Sequence, residues 1–140
     1  MRYLSRKYDF MKVLKSLLLF IFCLLFCTRV QCQDIISSIP SSLKAGNASA
    51  IAKNFDKRVD ITIDENADNY SSEQAEMILK SFLSKFSYRD FSVVHKGTSP
   101  DGAQYIIGSL KTGSGNFRTY IYIKKSAAVN YIQEIRFEKE

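Results

Sequence analysis

Ser71-Ser72-Glu73-Gln74-Ala75-Glu76-Met77-Ile78-Leu79-Lys80-Ser81-Phe82-Leu83-Ser84-Lys85-Phe86 is the stretch from which the architecture of this 140-residue chain is read. It opens with a capping box: the Ser71 hydroxyl and the Gln74 side chain can each satisfy a backbone N–H that a helix start leaves bare. Behind the cap, Ala75, Ile78, Leu79, Phe82, Leu83 and Phe86 recur at spacings of three and four. Such residues form one apolar stripe on an α-helix, so the spacing predicts a helix from Ser72 to Lys85. A helix with one oily stripe needs a surface to lie against.

The chain downstream supplies that surface. Asp90–Lys96, Ala103–Thr112, Asn116–Lys124 and Tyr131–Glu138 read as four strands, separated by turns at Ser99-Pro100-Asp101-Gly102, Gly113-Ser114-Gly115-Asn116 and Ser126–Asn130. Centring the second turn pairs Leu110 with Thr119 and Ile106 with Ile123. Centring the third pairs Ile123 with Tyr131, Ile121 with Gln133, Thr119 with Ile135 and Phe117 with Phe137. The central strand then buries the same residues in both hairpins, as a one-sided antiparallel sheet requires. In this register Arg118 stands opposite Arg136. Upstream, Ile36, Ile39 and Leu43 mark a short helix weakened by Pro40, and Asn47 caps a second one over Ala48–Phe55. Val59–Ile63 reads as a strand, and Asp64 to Asn69 as an acidic turn.

The N-terminal third is of a different kind. Met11-Lys12-Val13-Leu14-Lys15 is followed by Ser16 and the unbroken apolar run Leu17–Cys27. A basic start, an 11-residue hydrophobic stretch and a short exit form the secretory signal pattern. Thirteen residues separate the charges at Lys15 and Arg29, short of the about 20 that a membrane-spanning helix needs. Residues 1–32 are therefore expected to be a cleaved signal peptide, with Met11 an adequate alternative start, and residues 33–140 a single secreted or periplasmic domain without a stable membrane anchor. Cleavage after Cys32 leaves Val30 and Cys32 at the positions a signal peptidase reads. Lipidation of Cys32 is the competing outcome, but Arg29-Val30-Gln31 lacks the small residues of a lipobox.

The formal charge of +6 belongs mostly to this leader. Six of the 20 basic residues and one of the 14 acidic ones precede Gln33, leaving 14 against 13, a net charge of +1. Cys23, Cys27 and Cys32 are the only cysteines. The mature region thus has no disulfide, no Cys-ligated metal, no thiol nucleophile and no basic excess of the kind nucleic-acid binders use.

Two short helices, a strand, a long amphipathic helix and four antiparallel strands follow the order of the nuclear transport factor 2-like fold. More closely, the chain resembles a family of small secreted bacterial proteins that share a domain of unknown function. The matching stretches are Asp34-Ile35-Ile36, Lys44-Ala45-Gly46-Asn47-Ala48, Phe55-Asp56-Lys57-Arg58-Val59, His95-Lys96-Gly97, Asp101-Gly102-Ala103-Gln104-Tyr105, Phe117-Arg118-Thr119-Tyr120 and Gln133-Glu134-Ile135-Arg136-Phe137-Glu138-Lys139. The resemblance implies an α+β, cystatin-like cone in which a curved antiparallel sheet wraps the helices. It also implies export and dimerisation, and it brings no catalytic residues. Fold alone does not supply function, since this superfamily contains enzymes and pure binding modules.

Asp64, Asn66 and Asp68 fit the first positions of a calcium loop, but Asn69 replaces the turn glycine and Ala75 stands where a bidentate Glu belongs. No metal and no cofactor is expected. His95, the one histidine, is a candidate general base, and it has no evident partner. The core-facing set (Phe117, Ile121, Ile123, Ile135, Phe137, Ile106, Leu110) contains no carboxylate. Thr119, Tyr131 and Gln133 are its polar members, candidates for orienting a small apolar ligand. The opposite face carries Tyr105, Ile107, Tyr120, Tyr122 and Ile132 among Arg118, Glu134 and Arg136, a composition of aromatics and arginine typical of interfaces. It is expected to pair with a second copy or to meet an envelope protein. Asn47-Ala48-Ser49 and Asn69-Tyr70-Ser71 match a glycosylation sequon that capping already accounts for at Asn47 and Ser71. The reading is a non-catalytic binding or interaction module. Its rival is an isomerase- or dehydratase-type enzyme using the cone as its active site, with His95 or an Asp of the Asp56–Asp64 segment as base.

Overall fold

The computed structural model describes Lys15, residues 34–126 and residues 129–140. The leader expected over residues 1–32 lies, Lys15 apart, outside the described residues. All elements below belong to the unit Gln33–Glu140.

The order is α1 (Ile35–Lys44), α2 (Ala48–Ala52), β1 (Phe55–Ile63), β2 (Asn66–Ser71), α3 (Ser72–Lys85), β3 (Tyr88–Thr98), β4 (Gln104–Thr112), β5 (Gly115–Lys124) and β6 (Tyr131–Lys139). Helix α1 buries Ile35, Ile39 and Leu43, one residue per turn. Pro40 is accommodated inside it, while the hydroxyls of Ser37 and Ser38 donate to the carbonyls of Asp34 and Ile35 three residues back. The helix closes in a Schellman turn: Gly46 at φ 64° donates its N–H to the Leu43 carbonyl, and Asn47 donates to Ser42. The Asn47 side chain then accepts from the Ala50 N–H and starts α2.

Helix α3 has the expected bounds, and both halves of its capping box form: the Gln74 N–H donates to Ser71 Oγ, and the Ser71 N–H donates to the Gln74 amide oxygen. It buries Ala75, Leu79, Phe82 and Leu83; each large one contributes about 1.5–3 kcal/mol relative to exposure. Phe82 stacks on Phe137 with ring centroids 4.4 Å apart and meets Phe117 edge-on at 5.2 Å.

The sheet has six strands in the order β2-β1-β6-β5-β4-β3. It corrects the expected all-antiparallel sheet, because β1 runs parallel to β6. The expected acidic turn is also corrected. Only Asp64-Glu65 turns, and Asn66–Ser71 is a strand paired with β1 from Ile63–Asn66 to Arg58–Ser71. Asp64, at φ 53°, donates its N–H to the Phe137 carbonyl and accepts from the Lys139 N–H through its carboxylate, which ties the turn to β6.

The β4–β5 register is two residues tighter than expected: Leu110 pairs with Phe117, Gly108 with Thr119 and Ile106 with Ile121. The turn holds only Gly113 and Ser114, with the Thr112 hydroxyl donating to the Gly115 carbonyl. A shift of two preserves which side chains face inward. The β5–β6 pairing does not preserve them throughout. Thr119 pairs with Phe137 and Ile121 with Ile135, but an irregularity after Tyr122 then pairs Ile123 with Ile132. Gln133 is the extra residue of this bulge, and beyond it the inward side chain is Ile132.

The core is the layer between α1–α3 and the sheet's inner face. Among the described residues, the only buried polar side chains are Thr112 and Thr119. No helix among them is long and apolar enough to cross a membrane.

Candidate functional site: the outer face of the sheet

The face turned away from the helices is built by alternation along β4, β5 and β6. Tyr105 stands opposite Tyr122, and Ile107 opposite Tyr120. Tyr120 in turn faces Arg136, Tyr122 faces Glu134, and Arg118 faces Glu138. The β5–β6 register over this stretch, also two residues from the expected one, thus removes the Arg118–Arg136 opposition and puts an acid across from Arg118. Tyr105 and Tyr120 lie nearly parallel, 24° apart with centroids at 6.4 Å. The Arg136 guanidinium sits 5.7 Å from the Tyr120 ring centre and its Nε donates to the Glu134 carboxylate. That bond holds the guanidinium firmly charged. Burial, and then the Glu134 carboxylate, raises the Tyr120 hydroxyl above its ordinary pKa against the pull of Arg136, so the ring stays neutral.

His95 follows an irregularity in β3 and comes to this face opposite Ile107. Its Nε2 is 3.3 Å from the Tyr105 hydroxyl. The partner that sequence could not supply is therefore a phenol, not a carboxylate. Tyr105 reaches it by crossing Gly97, where a Cβ would stand 2.7 Å from the hydroxyl oxygen.

Seven of the eight residues expected on this face are there: Tyr105, Ile107, Arg118, Tyr120, Tyr122, Glu134 and Arg136. Ile132 is the correction. The bulge at Gln133 turns it inward, where it is fully buried. The same bulge disperses the three candidates for holding a ligand. Thr119 is fully buried, pairs with Phe137 and sends its hydroxyl toward the Phe117 carbonyl at 3.5 Å. Tyr131 is half-buried opposite Lys124, and Gln133 is half-buried at the bulge. Thr119 and Lys124 are five positions apart on β5, about 17 Å along a strand. The three do not line one cavity.

Two hollows escaped the sequence reading. One, of about 670 Å³, lies over β1, β2 and β6, edged by Asp60, Asp68, Asn69, Glu134, Arg136 and Glu138. Its charges are partly engaged already: the Asn69 amide donates to Asp60, and Arg58 donates to the Asn69 carbonyl. The alternation of Asp60 and Thr62 with Val59 and Ile61 was the available signal, but without β2 it gave no second wall. The other, of about 550 Å³, lies where the α1–α2 turn meets the start of β3. Among the described residues no group of three or more His, Cys, Asp or Glu side chains is placed to hold a metal ion.

The family described as domain of unknown function DUF4783 matches residues 36–138. The chain belongs to the DUF4783 family. Comparison with curated proteins gives no match. A DUF4783 protein of Bacteroides uniformis, known from its crystal structure, is 27% identical, with a TM-score of 0.71 over 76% of this chain and 98% of that one. A nuclear transport factor 2-like protein of unknown function from Cytophaga hutchinsonii is 10% identical, covering 82% and 95% with a TM-score of 0.57. A Nostoc punctiforme domain of unknown function with a cystatin-like fold is 10% identical, covering 76% and 73% with a TM-score of 0.59. At such identities the likeness is one of fold alone. The α+β, nuclear transport factor 2-like architecture expected from the order of elements is thus the fold of this DUF4783 domain.

Proposed function

We propose that this DUF4783 domain is an exported, non-catalytic interaction module that pairs with a second copy of itself through the outer face of β4, β5 and β6. The observation that carries the reading is the aromatic centre of that face, Tyr105, Ile107, Tyr120 and Tyr122 on adjacent strands. Buried aromatics with arginine at their rim are what dominates protein interfaces. The buried core supports it from the other side. Its polar members among the described residues are two threonines, and a proton-transfer site in the cone would want an ionisable group with a tuned pKa there.

A two-fold contact requires a self-complementary patch. The charges on this face are unevenly divided: β1 and β6 carry Asp60, Glu134 and Glu138 against Arg58 and Arg136, a half whose net charge is acidic, whereas β4 and β5 carry Lys111, Arg118 and Lys124 and no acid. A two-fold axis near Tyr120 lays each acidic half over the partner's basic half. Export rests on the leader pattern and suits a domain that needs no disulfide.

Light scattering on the domain expressed from Gln33 tests the pairing. The expected result is a dimer, with Tyr120→Glu monomeric and still folded by circular dichroism. A monomeric wild type at high protein concentration overturns the proposal.

A further inference from the structure

His95 is the one histidine of the chain, and imidazole is the side chain whose ordinary titration falls between pH 5 and 8. Regular alternation along β3 from the outward Ser92 would turn Val94 outward and His95 inward. The irregularity between Val93 and His95 reverses this, so His95 pairs with Ile107 and joins the outer face. Bulges re-aim side chains in this way, often beside functional surfaces. The ring is exposed, and from its own copy it meets the Tyr105 hydroxyl at Nε2. Lys96, its neighbour, pairs with the buried Ile106 and takes the opposite face. No carboxylate of its own copy forms an ion pair with it among the described residues, where Arg136–Glu134 is the single such pair. Nδ1 is left for a group outside the copy.

One row of outward residues crosses the whole sheet: Ala67, Thr62, Arg136, Tyr120, Ile107 and His95, on β2, β1, β6, β5, β4 and β3 in turn. The pairing proposed above, on which this inference rests, lays the acidic half of one copy over the basic half of the other. A two-fold axis that does so runs along β5 and exchanges the two ends of the row. Strands β3 and β1 each lie two strands from β5, about 10 Å to either side, so His95 of one copy comes over Thr62 of the other. There the face is concave, because Thr62, Ala67 and Arg136 line the hollow over β1, β2 and β6. Its charged lining is Asp60, Asp68, Glu134 and Glu138 against Arg136, whose guanidinium is held by Glu134. Arg58, at the edge, is turned to Asn69. Asp60, beside the row on β1, takes one bond from the Asn69 amide, and a carboxylate accepts several.

We propose that this hollow receives the partner's His95, and that the protonated imidazole, donating from Nδ1 toward Asp60, makes the pairing tighter in mild acid. Pairing sets the ring beside carboxylates that the free copy does not offer it, so the charged imidazolium is favoured in the pair over the free copy. By linkage, affinity then rises as pH falls through the imidazole range and is lost as pH rises through it. The opposite sign would follow if His95 met an apolar or basic surface.

The test is the dimer dissociation constant of the domain expressed from Gln33, measured by analytical ultracentrifugation at about pH 5.5 and about pH 8, on either side of the imidazole titration. The wild type is expected to bind several-fold more tightly at the lower pH, the effect of two symmetry-related surface ion pairs. His95→Gln should hold the constant at its high-pH value throughout. Asp60→Asn should weaken pairing at the lower pH and leave it unchanged at the higher one, which a merely structural role for either residue would not produce. Both residues are exposed, and circular dichroism shows that each variant is folded. A wild-type constant that is level or rises in acid overturns the inference while leaving the pairing intact. So does a pH dependence that survives His95→Gln or Asp60→Asn. A monomer at both pH values overturns the pairing itself, and this inference with it.

Discussion

Phe91 crosses β4 over Gly108, and Tyr105 crosses β3 over Gly97, so two aromatic side chains depend on the absence of a Cβ beneath them. The consequences of adding one differ, because of what surrounds each ring. At Gly108 an added methyl overlaps the Phe91 ring and comes within 2.7 Å of the Ser92 carbonyl oxygen; Phe91 is buried and the carbonyl is backbone, so neither can yield. Gly108→Ala is expected to cost about 1–3 kcal/mol, the usual range for overpacking a filled interior. At Gly97 the obstacle is the hydroxyl end of Tyr105, a side chain on an open face that can swing away. Gly97→Ala should therefore cost less than about 1 kcal/mol while breaking the His95–Tyr105 contact and weakening the proposed pairing. Urea denaturation measures both variants. Equal losses at the two glycines would contradict this account of how the rings are seated.

The elements differ in how far local signals specify them. Helix α3 is specified twice, by its stripe and by its cap, and both signals lie within sixteen consecutive residues. Ser71→Ala should lower domain stability by about 1 kcal/mol, a typical loss for an N-cap hydroxyl; a thermal melt unchanged by the substitution would mean that the box contributes nothing here. Strand β2 is the opposite case. It is an edge strand of Asn, Ala, Asp, Asn, Tyr and Ser, exposed over its first four residues. No alternation marks it, because only Tyr70, at its end, packs against the core. The four meander strands were legible from their alternation and turns, yet their register was not. The count of residues in the β4–β5 turn and the bulge at Gln133 are settled by pairing between strands. The bulge is what moved Ile132 from the expected outer face to the core and scattered Thr119, Tyr131 and Gln133. The hollow at the α1–α2 turn was illegible for a related reason: one wall comes from that turn and the other from α3 and the start of β3, with β1 and β2 between them in sequence.

Taken as a whole, the domain places oily side chains on both sides of one sheet, and only one side is covered by its own helices. The inner side is closed by Phe82, whose ring meets both Phe117 and Phe137. The outer side keeps its tyrosines beside charges of both signs, and the proposed pairing makes a prediction about the balance between them. Aromatic contact strengthens or holds steady as salt is added, whereas attraction between exposed charges is screened. If acidic and basic halves meet across a two-fold axis, raising sodium chloride from about 0.1 M to about 1 M shortens the screening length from about 10 Å to about 3 Å and should raise the dimer dissociation constant several-fold. Analytical ultracentrifugation across that range gives the constant directly, and circular dichroism at each salt concentration shows that the fold itself is unchanged. A dissociation constant that stays level or falls would mean that the tyrosines alone hold the copies together. The division of charge between β1–β6 and β4–β5 would then play no part in choosing the partner.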